Sequence, residues 1–196
     1  MLINTHFIIS KSILENLESH KSFFISDKNF IYGNIKPDIS SKYVVRKHYL
    51  EESLSMVIEK IEYLCKLTLD SLKKYFSISK LSQQLGVICH FLCDFFCTPH
   101  SERWEFSHSM NRHVIYEKKL NNMAKKFNFS KCDINYKIHD NIEEFFHSIY
   151  SNYKTNDTSY ENDLIYSYYI CNTIVNYVLD SILINTANSY NLKNCV

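Results

Sequence analysis

The near absence of glycine and proline is the feature that most constrains the fold of this chain. Only two of each occur among its 196 residues. Glycine supplies the positive φ of tight turns and proline interrupts helices, so such a chain is most easily built from long helices and polar loops. No alternating strand pattern of useful length, internal repeat or interdomain linker is present. The sequence therefore predicts an all-α fold, a helical bundle that forms one domain over residues 1–196.

Apolar spacing predicts six helices. The segment 80–97 is apolar nearly all round, which is typical of a central, buried helix. Thr98 should end it, because the residue before Pro99 avoids the helical region. Residues 20–41 carry both Gly33 and Pro37 and are predicted to be a loop. The predicted helices cover residues 5–18, 43–76 (one long or broken helix), 80–97, 108–127, 133–152 and 159–190.

Charge and hydropathy limit the classes of protein to which this chain can belong. The formal net charge is +1, so bulk charge predicts no binding to nucleic acid or to anionic membrane. The N-terminal segment has no basic leader, long apolar run or small-residue cleavage site. The most apolar stretch, residues 85–97, is shorter than the ~20 apolar residues of a membrane span. Seven cysteines without a secreted context indicate reduced thiols. The sequence as written predicts a cytoplasmic protein, and secretion would require an additional leader.

Two pairs of histidine and acidic residues have the spacing of metal ligands. His90 and Asp94 lie four residues apart on the central helix, so both side chains face one side. His113 and Glu117 repeat that spacing, and His100 lies between the pairs. An unpaired, buried Asp94 would cost roughly several kcal/mol or become neutral, which favours a bound cation over the alternative, a hydrogen-bonded polar network in the core.

Upstream residues extend this pattern into one that resembles a known family. His6 begins the first predicted helix, Asp38 follows Pro37, and His48 lies near the start of the long helix; each alone is typical of a solvated or capping residue. In order, the whole set resembles the bacterial zinc-dependent phospholipase C family, which is related to the fungal single-strand-specific zinc nucleases. The motifs span the first 117 residues, and the remainder resembles the family only in helical character. The eight positions are His6, Asp38, His48, His90, Asp94, His100, His113 and Glu117.

The resemblance implies an all-helical fold with three zinc ions in a cleft. It assigns one zinc to Asp38, His48, His90 and Asp94, a second to His100, His113 and Glu117, and a third to His6 with Asp94 as the bridging ligand. Secreted members of the family complete the third site with an N-terminal Trp, and no Trp lies near this N-terminus. Two or three Zn²⁺ ions are therefore expected. The resemblance also gives Asp38 the role of general base.

The implied function is that of a phospholipase C, which cleaves a glycerophospholipid to diacylglycerol and a phosphorylated head group. Zinc lowers the pKa of its bound water from 15.7 toward ~7, and two metals ~3.5–4 Å apart hold both oxygens of an in-line displacement. The expected partner is thus a phospholipid or another phosphodiester, with transient contact to a membrane surface. The sequence gives no indication of oligomeric state.

Two alternatives stay open. The first is a nuclease or nucleotidase with the same metals, in which Trp104 stacks on bases and Arg103, Arg112 and Lys36 bind phosphates. The second is a non-catalytic helical protein stabilised by metal in a closed site.

Two further patterns in the sequence indicate packing between helices and not a binding site. Cys89, Cys93 and Cys97 recur every four residues beside the His90/Asp94 face, offset by about 100°. They are expected to pack against a neighbouring helix, since free cysteine behaves as a small hydrophobe, although such thiolates could bind soft metals. The tyrosine-rich segment 160–177 is expected to be one face of the last helix, with a lipid-facing surface as the alternative.

Overall fold

A computed structural model describes residues 1–40, 48–104, 110–132, 138 and 141–194. These residues form helices and turns with no strand among them, which confirms the predicted all-α fold. The helices are α1 (Ile3–Glu15), α2 (Ser19–Ser22), α3 (Asp27–Ile39), α4 (Leu50–Cys65), α5 (Leu69–Ser71), α6 (Ile78–Phe95), α7 (Thr98–Ser101), α8 (Met110–Ala124), α9 (Ile142–Thr155) and α10 (Tyr160–Asn194).

The central helix α6 is the core of the fold, as the sequence predicted. Every residue from 85 to 99 is buried, because α3, α4 and α10 all pack against α6. The helix ends at Phe95, and Pro99 lies in the first turn of the short helix α7 that follows. A proline is tolerated there because the first turn of a helix has no backbone partner for its N–H.

Both glycines of the chain lie where α3 crosses α6. A Cβ atom on Gly33 would come within 2.2 Å of the Gln83 carbonyl oxygen, and one on Gly86 within 2.2 Å of the Phe30 carbonyl oxygen. The two backbones can therefore approach this closely only because neither position carries a side chain. The crossing fixes the end of α3, and with it Asp38, against the middle of α6.

The prediction of a loop over residues 20–41 is wrong. This segment contains α2 and α3, and Pro37 lies inside α3, two residues before its end. Gly33 does not break the helix; it allows α3 and α6 to approach each other closely. Pro37 removes only one backbone donor near the end of α3, so the helix persists through it.

The predicted long helix over residues 43–76 is broken. Its first part, residues 43–47, lies outside the described residues. Helix α4 ends at Cys65, and Thr68 starts a new helix by exchanging side-chain and backbone hydrogen bonds with Ser71. A π-helical turn, Leu72–Phe76, leads from there into α6.

The remaining predicted helices match α1, α8, α9 and α10 with shifted ends. Asn141 starts α9 by accepting hydrogen bonds from two backbone N–H groups, so α9 begins nine residues later than the predicted segment. Residues 105–109, 133–137, 139 and 140, which include the predicted starts of two helices, lie outside the described part of the chain. A short 3₁₀ turn, Phe129–Lys131, follows α8.

Helix α10 is the longest element and packs along α4, α6 and α8. Its tyrosines mostly face the protein: Tyr168 and Tyr169 are buried, and Tyr160, Tyr166 and Tyr177 pack against the core. This agrees with a packing face and leaves little of the segment for a lipid-facing surface. Among the described helices, none combines the length and the apolar character needed to cross a bilayer.

Candidate metal centre

Asp94 is the centre of a cluster that contains all eight predicted site residues. Its side chain is fully buried, and its two carboxylate oxygens face different histidines. The Oδ2 atom lies 2.8 Å from Nδ1 of His48 and 3.3 Å from Nε2 of His90. The Oδ1 atom lies 3.4 Å from Nε2 of His6 and 3.8 Å from Nε2 of His100. A carboxylate placed in this way can bridge two cations.

The ring of His90 is held in the orientation that a metal ligand requires. Its Nδ1–H donates to the carbonyl oxygen of Asn34 at 2.7 Å; a carbonyl can only accept, so Nδ1 must carry the proton. The lone pair of Nε2 then points into the cluster. Such hydrogen bonds set the tautomer and direction of metal-binding imidazoles. Asn34 follows Gly33 directly, so the close crossing of α3 and α6 positions this acceptor.

The mouth of the cluster is formed by Asp38 and His48. The Oδ1 atom of Asp38 lies 3.6 Å from Nε2 of His90 and 3.9 Å from Nδ1 of His48. These two side chains are 23% and 16% exposed, whereas His90 is fully buried. Solvent therefore reaches the cluster at Asp38 and His48. Two sets of three ligand atoms lie within 4.8 Å of one another here: His6, Asp38 and His90, and His48, His90 and Asp94.

A second group of ligands lies on the other side of Asp94. The Oε1 atom of Glu117 is 3.1 Å from Nε2 of His100 and 3.0 Å from Nε2 of His113. Helix α8 supplies Glu117 and His113 from adjacent turns, and α7 supplies His100. The α-amino nitrogen of Met1 also lies 3.1 Å from Glu117 Oε1 and contacts Asp94 Oδ1. A positive charge thus occupies the space on which these donors converge.

Burial and charge set the protonation of the cluster. Burial lowers the pKa of His6 to about 3 and also lowers the pKa of His100, so both rings are neutral, the form that binds metals. Burial alone would raise the pKa of Asp94 and of Glu117, but the nearby Met1 ammonium and histidines outweigh it and lower both. Burial raises the pKa of Asp38.

The residues present fit a bound cation. Within the described part of the chain, neither ring nitrogen of the fully buried His6 has a hydrogen-bond partner, and Nδ1 of His100 has none either. His6 approaches Asp94 at 3.4 Å without the geometry of a hydrogen bond. Leaving such groups unpaired costs free energy, and coordination of one nitrogen of His6 would remove part of that cost. Imidazole and carboxylate donors suit zinc.

Cys97 is buried in the core like Cys89 and Cys93, but its surroundings differ from theirs. Cys89 and Cys93 do pack near Cys171 of α10, with the Cys93 and Cys171 sulfurs 3.6 Å apart. However, α6 ends at Phe95, so Cys97 leaves the face that those two residues share. Its sulfur instead lies within 4.8 Å of ligand atoms of His100 and Glu117.

Asp163 is a further residue near the site that no sequence pattern indicated. It is fully buried in the first turn of α10 and accepts four hydrogen bonds of 2.8–3.0 Å, from the backbone N–H and hydroxyl of Thr98 and from the hydroxyls of Tyr116 and Tyr153. Thr98 lies in α7 and Tyr116 lies in α8. Asp163 therefore fixes together the two helices that carry His100 and Glu117.

The side chains considered for binding nucleic acid are engaged within the protein. Trp104 is 5% exposed, and its N–H donates to Glu102. The Arg112 guanidinium lies 4.3 Å from the centre of the Trp104 ring. Two glutamates, Glu51 and Glu52, bind Arg103, and Lys36 donates to Gln83. The Trp104 ring is thus not presented for stacking on a base.

The fold and the cluster define an all-helical protein with an imidazole and carboxylate centre suited to more than one metal ion. A family model described as zinc dependent phospholipase C matches residues 5–171. The chain therefore belongs to the zinc-dependent phospholipase C family, as its motifs predicted. The match continues beyond Glu117 through α9 and into α10, further than the motifs themselves. No curated protein and no solved structure matches the chain.

Proposed function

We propose that this protein is a zinc-dependent phospholipase C that hydrolyses a glycerophospholipid to diacylglycerol and a phosphorylated head group. The observation that carries the proposal is the cluster of seven imidazole and carboxylate side chains around Asp94. Membership of the zinc-dependent family supports zinc as the metal. In this proposal the substrate reaches the cluster from the side on which Asp38 and His48 are exposed.

The proposed ligands form groups on the two sides of Asp94. Zinc at this centre supplies Lewis acidity, which lowers the pKa of water and neutralises charge on a phosphodiester. Asp38, His48, His90 and Asp94 would hold one ion, and His100, His113 and Glu117 a second. His6 would hold a third ion with Asp94.

Asp38 is proposed as the general base. It is the most exposed carboxylate of the cluster, with 23% of its side chain accessible, whereas Asp94 is 1% accessible. Because α3 is anchored on α6 at the glycine crossing, the carboxylate is held at the mouth instead of moving with a loop. From there it can accept the proton of the water that attacks phosphorus.

Two observations support this function over the alternatives. The exposure of Asp38 and His48 leaves the centre accessible, whereas a purely structural zinc site is closed by its four ligands. The burial of Trp104 removes the aromatic partner proposed for a nucleic-acid base. A nuclease therefore stays an outcome of the test and is not proposed.

The test is a matched hydrolysis assay on purified, zinc-loaded protein. The substrates are a soluble phosphocholine ester, vesicles of phosphatidylcholine, phosphatidylethanolamine or phosphatidylserine, and single-stranded DNA, each with and without chelator. We expect chelator-sensitive release of phosphorylated head group and no cleavage of DNA.

Two variants make the assay specific to the cluster. Asp94→Asn should lower zinc content and abolish hydrolysis together, since it removes the carboxylate that the ions proposed at Asp38 and at His6 would share. His147→Gln replaces an exposed histidine of α9 whose ring faces Glu143, and it should leave both unchanged. Cleavage of DNA alone would replace the phospholipase by a nuclease, and zinc binding without any hydrolysis would indicate a structural metal.

A further inference from the structure

Cys97 is the one thiol among the described residues that lies beside metal-ligating groups. The Cys97 sulfur, one ligand nitrogen of His100 and one carboxylate oxygen of Glu117 all lie within 4.8 Å of one another. The side chain is fully buried, and the thiol is free. Three donors of different chemistry thus surround one small space next to Asp94.

The backbone holds this thiol rigidly between two predicted ligands. The N–H of Cys97 donates to the carbonyl oxygen of Asp94 at 3.1 Å, and its carbonyl oxygen accepts from the N–H of His100 at 2.9 Å. Its φ of −112° and ψ of 119° are extended, so the chain changes direction here between α6 and α7. This change turns the Cys97 side chain away from the cysteines that pack near α10.

From this geometry we infer that Cys97 is a further ligand of the metal held by His100, His113 and Glu117. The inference rests on the proposed zinc centre and adds a sulfur donor to its nitrogen and oxygen ligands. As the metal–sulfur bond forms, the S–H bond breaks and the proton is released to solvent, as is usual when a thiol binds a metal. Thiolate together with imidazole is a donor set that selects zinc and other soft metals.

The assignment gives the two sides of Asp94 different roles. With Cys97 the second position would have four protein ligands, which is the arrangement of structural zinc, and none of their side chains is more than 11% exposed. The first position also has four proposed ligands, but two of them are 23% and 16% exposed. The position at Asp38 and His48 opens to solvent. The ion beside Cys97 is therefore the more tightly bound of the two and the last to be removed by a chelator.

The experiment replaces zinc by cobalt(II) in the purified full chain and records metal content and the absorption spectrum. A thiolate bound to cobalt gives an intense charge-transfer band in the near ultraviolet that nitrogen and oxygen ligands do not give. We expect that band in the wild type and its loss in both Cys97→Ser and Cys97→Ala. Cys171→Ala is the matched control, because Cys171 is equally buried but packs near Cys93 and is not among the grouped candidate ligands; it should keep the band.

Metal affinity supplies a second readout. Side chains that only orient a ligand contribute 10–100-fold to metal affinity, so we expect loss of Cys97 to weaken the tighter site roughly 100-fold or more. Bound cobalt without a charge-transfer band in the wild type would overturn the thiolate ligand and leave the zinc centre intact. Absence of bound cobalt would overturn both the ligand and the proposed function. Where a Cys97 variant fails to fold, a missing band in the wild type still overturns the thiolate ligand, and a band that is present is assigned to Cys97 because no other thiol among the described residues lies beside metal-ligating groups.

Discussion

The carboxylates of the centre differ in what each can do, because their exposure differs. Asp94 is enclosed by histidines, and in the proposed function it balances and bridges the charge of the ions. Asp38 reaches solvent at the mouth, where a proton can leave. The roles of the two residues can therefore be distinguished by changing each carboxylate to an amide. An amide keeps an oxygen for a metal but cannot accept a proton.

For Asp38→Asn we expect kcat to fall roughly 100-fold or more, the contribution typical of a general base. Zinc content should stay close to that of the wild type, because the amide oxygen still faces His90. Steady-state kinetics and metal analysis on the same preparation check this. A loss of zinc in proportion to the loss of kcat would show that Asp38 acts as a ligand alone.

The pKa of Asp163 predicts how the stability of the fold depends on pH. Burial raises the pKa of Asp163 from 3.8 to about 6, despite the four hydrogen bonds that favour the carboxylate. A folded-state pKa above the unfolded value means that this group stabilises the fold most at low pH, and that this stability is lost as pH rises from about 4 to about 6. The difference amounts to about 3 kcal/mol.

The destabilisation caused by Asp163→Asn should therefore be larger at pH 4 than at pH 7, by up to about 3 kcal/mol. Urea unfolding of the metal-free wild type and variant at the two pH values measures it. The exposed Asp157→Asn on the approach to α10 is the control and should show no such difference. If the destabilisation caused by Asp163→Asn instead grew with pH, the four hydrogen bonds would outweigh burial in setting the pKa of Asp163.

At the scale of the helices, the sequence predicted what depends on local spacing and missed what depends on contacts. The buried α6 follows from its apolar surface, and the pairs four residues apart follow from helix geometry. The loop predicted at α3 failed because Gly33 serves a helix crossing that only the partner, α6, explains. The position of Cys97 beside His100 and Glu117 could not be predicted for a related reason: α6 ends at Phe95, so the spacing of four residues no longer places Cys97 on the face of Cys89 and Cys93.

The crossing of α3 and α6 should tolerate no side chain. For Gly86→Ala the new Cβ would meet the Phe30 carbonyl oxygen at 2.2 Å, and this oxygen belongs to backbone that cannot move without shifting α3. Overpacking of a core typically costs 1–3 kcal/mol, and we expect about 3 kcal/mol or more here. A shift of α3 would also displace the carbonyl oxygen of Asn34 from His90 and so lower zinc content.

Thermal unfolding and metal analysis test this prediction against Ser79→Ala. That change also adds helix propensity to α6, but at an exposed position. The control should be neutral or slightly stabilising. A Gly86→Ala protein with wild-type stability and zinc content would show that α3 and α6 separate without consequence for the site.

At the scale of the whole molecule, the metal centre joins elements that are far apart in sequence. The proposed ligands come from α1, the end of α3, the residues just before α4, α6, α7 and α8, so each ion would tie several helices to one point. Without metal, the same position gathers buried carboxylates beside the Met1 ammonium, and neither ring nitrogen of His6 has a hydrogen-bond partner among the described residues. Zinc should therefore stabilise the entire fold and not only the site.

A ligand that binds only the folded state contributes about 4 kcal/mol at a free concentration of 1,000 times its Kd. For a chain of this length, 1 kcal/mol shifts Tm by roughly 2–4 °C, so saturating zinc should raise Tm by about 8–16 °C and a chelator should reverse the rise. Asp94→Asn should keep only the part of the shift that comes from the ion proposed at His100, His113 and Glu117, which does not use Asp94. If zinc raised Tm equally in this variant, the ions proposed at Asp94 would contribute nothing to the stability of the fold.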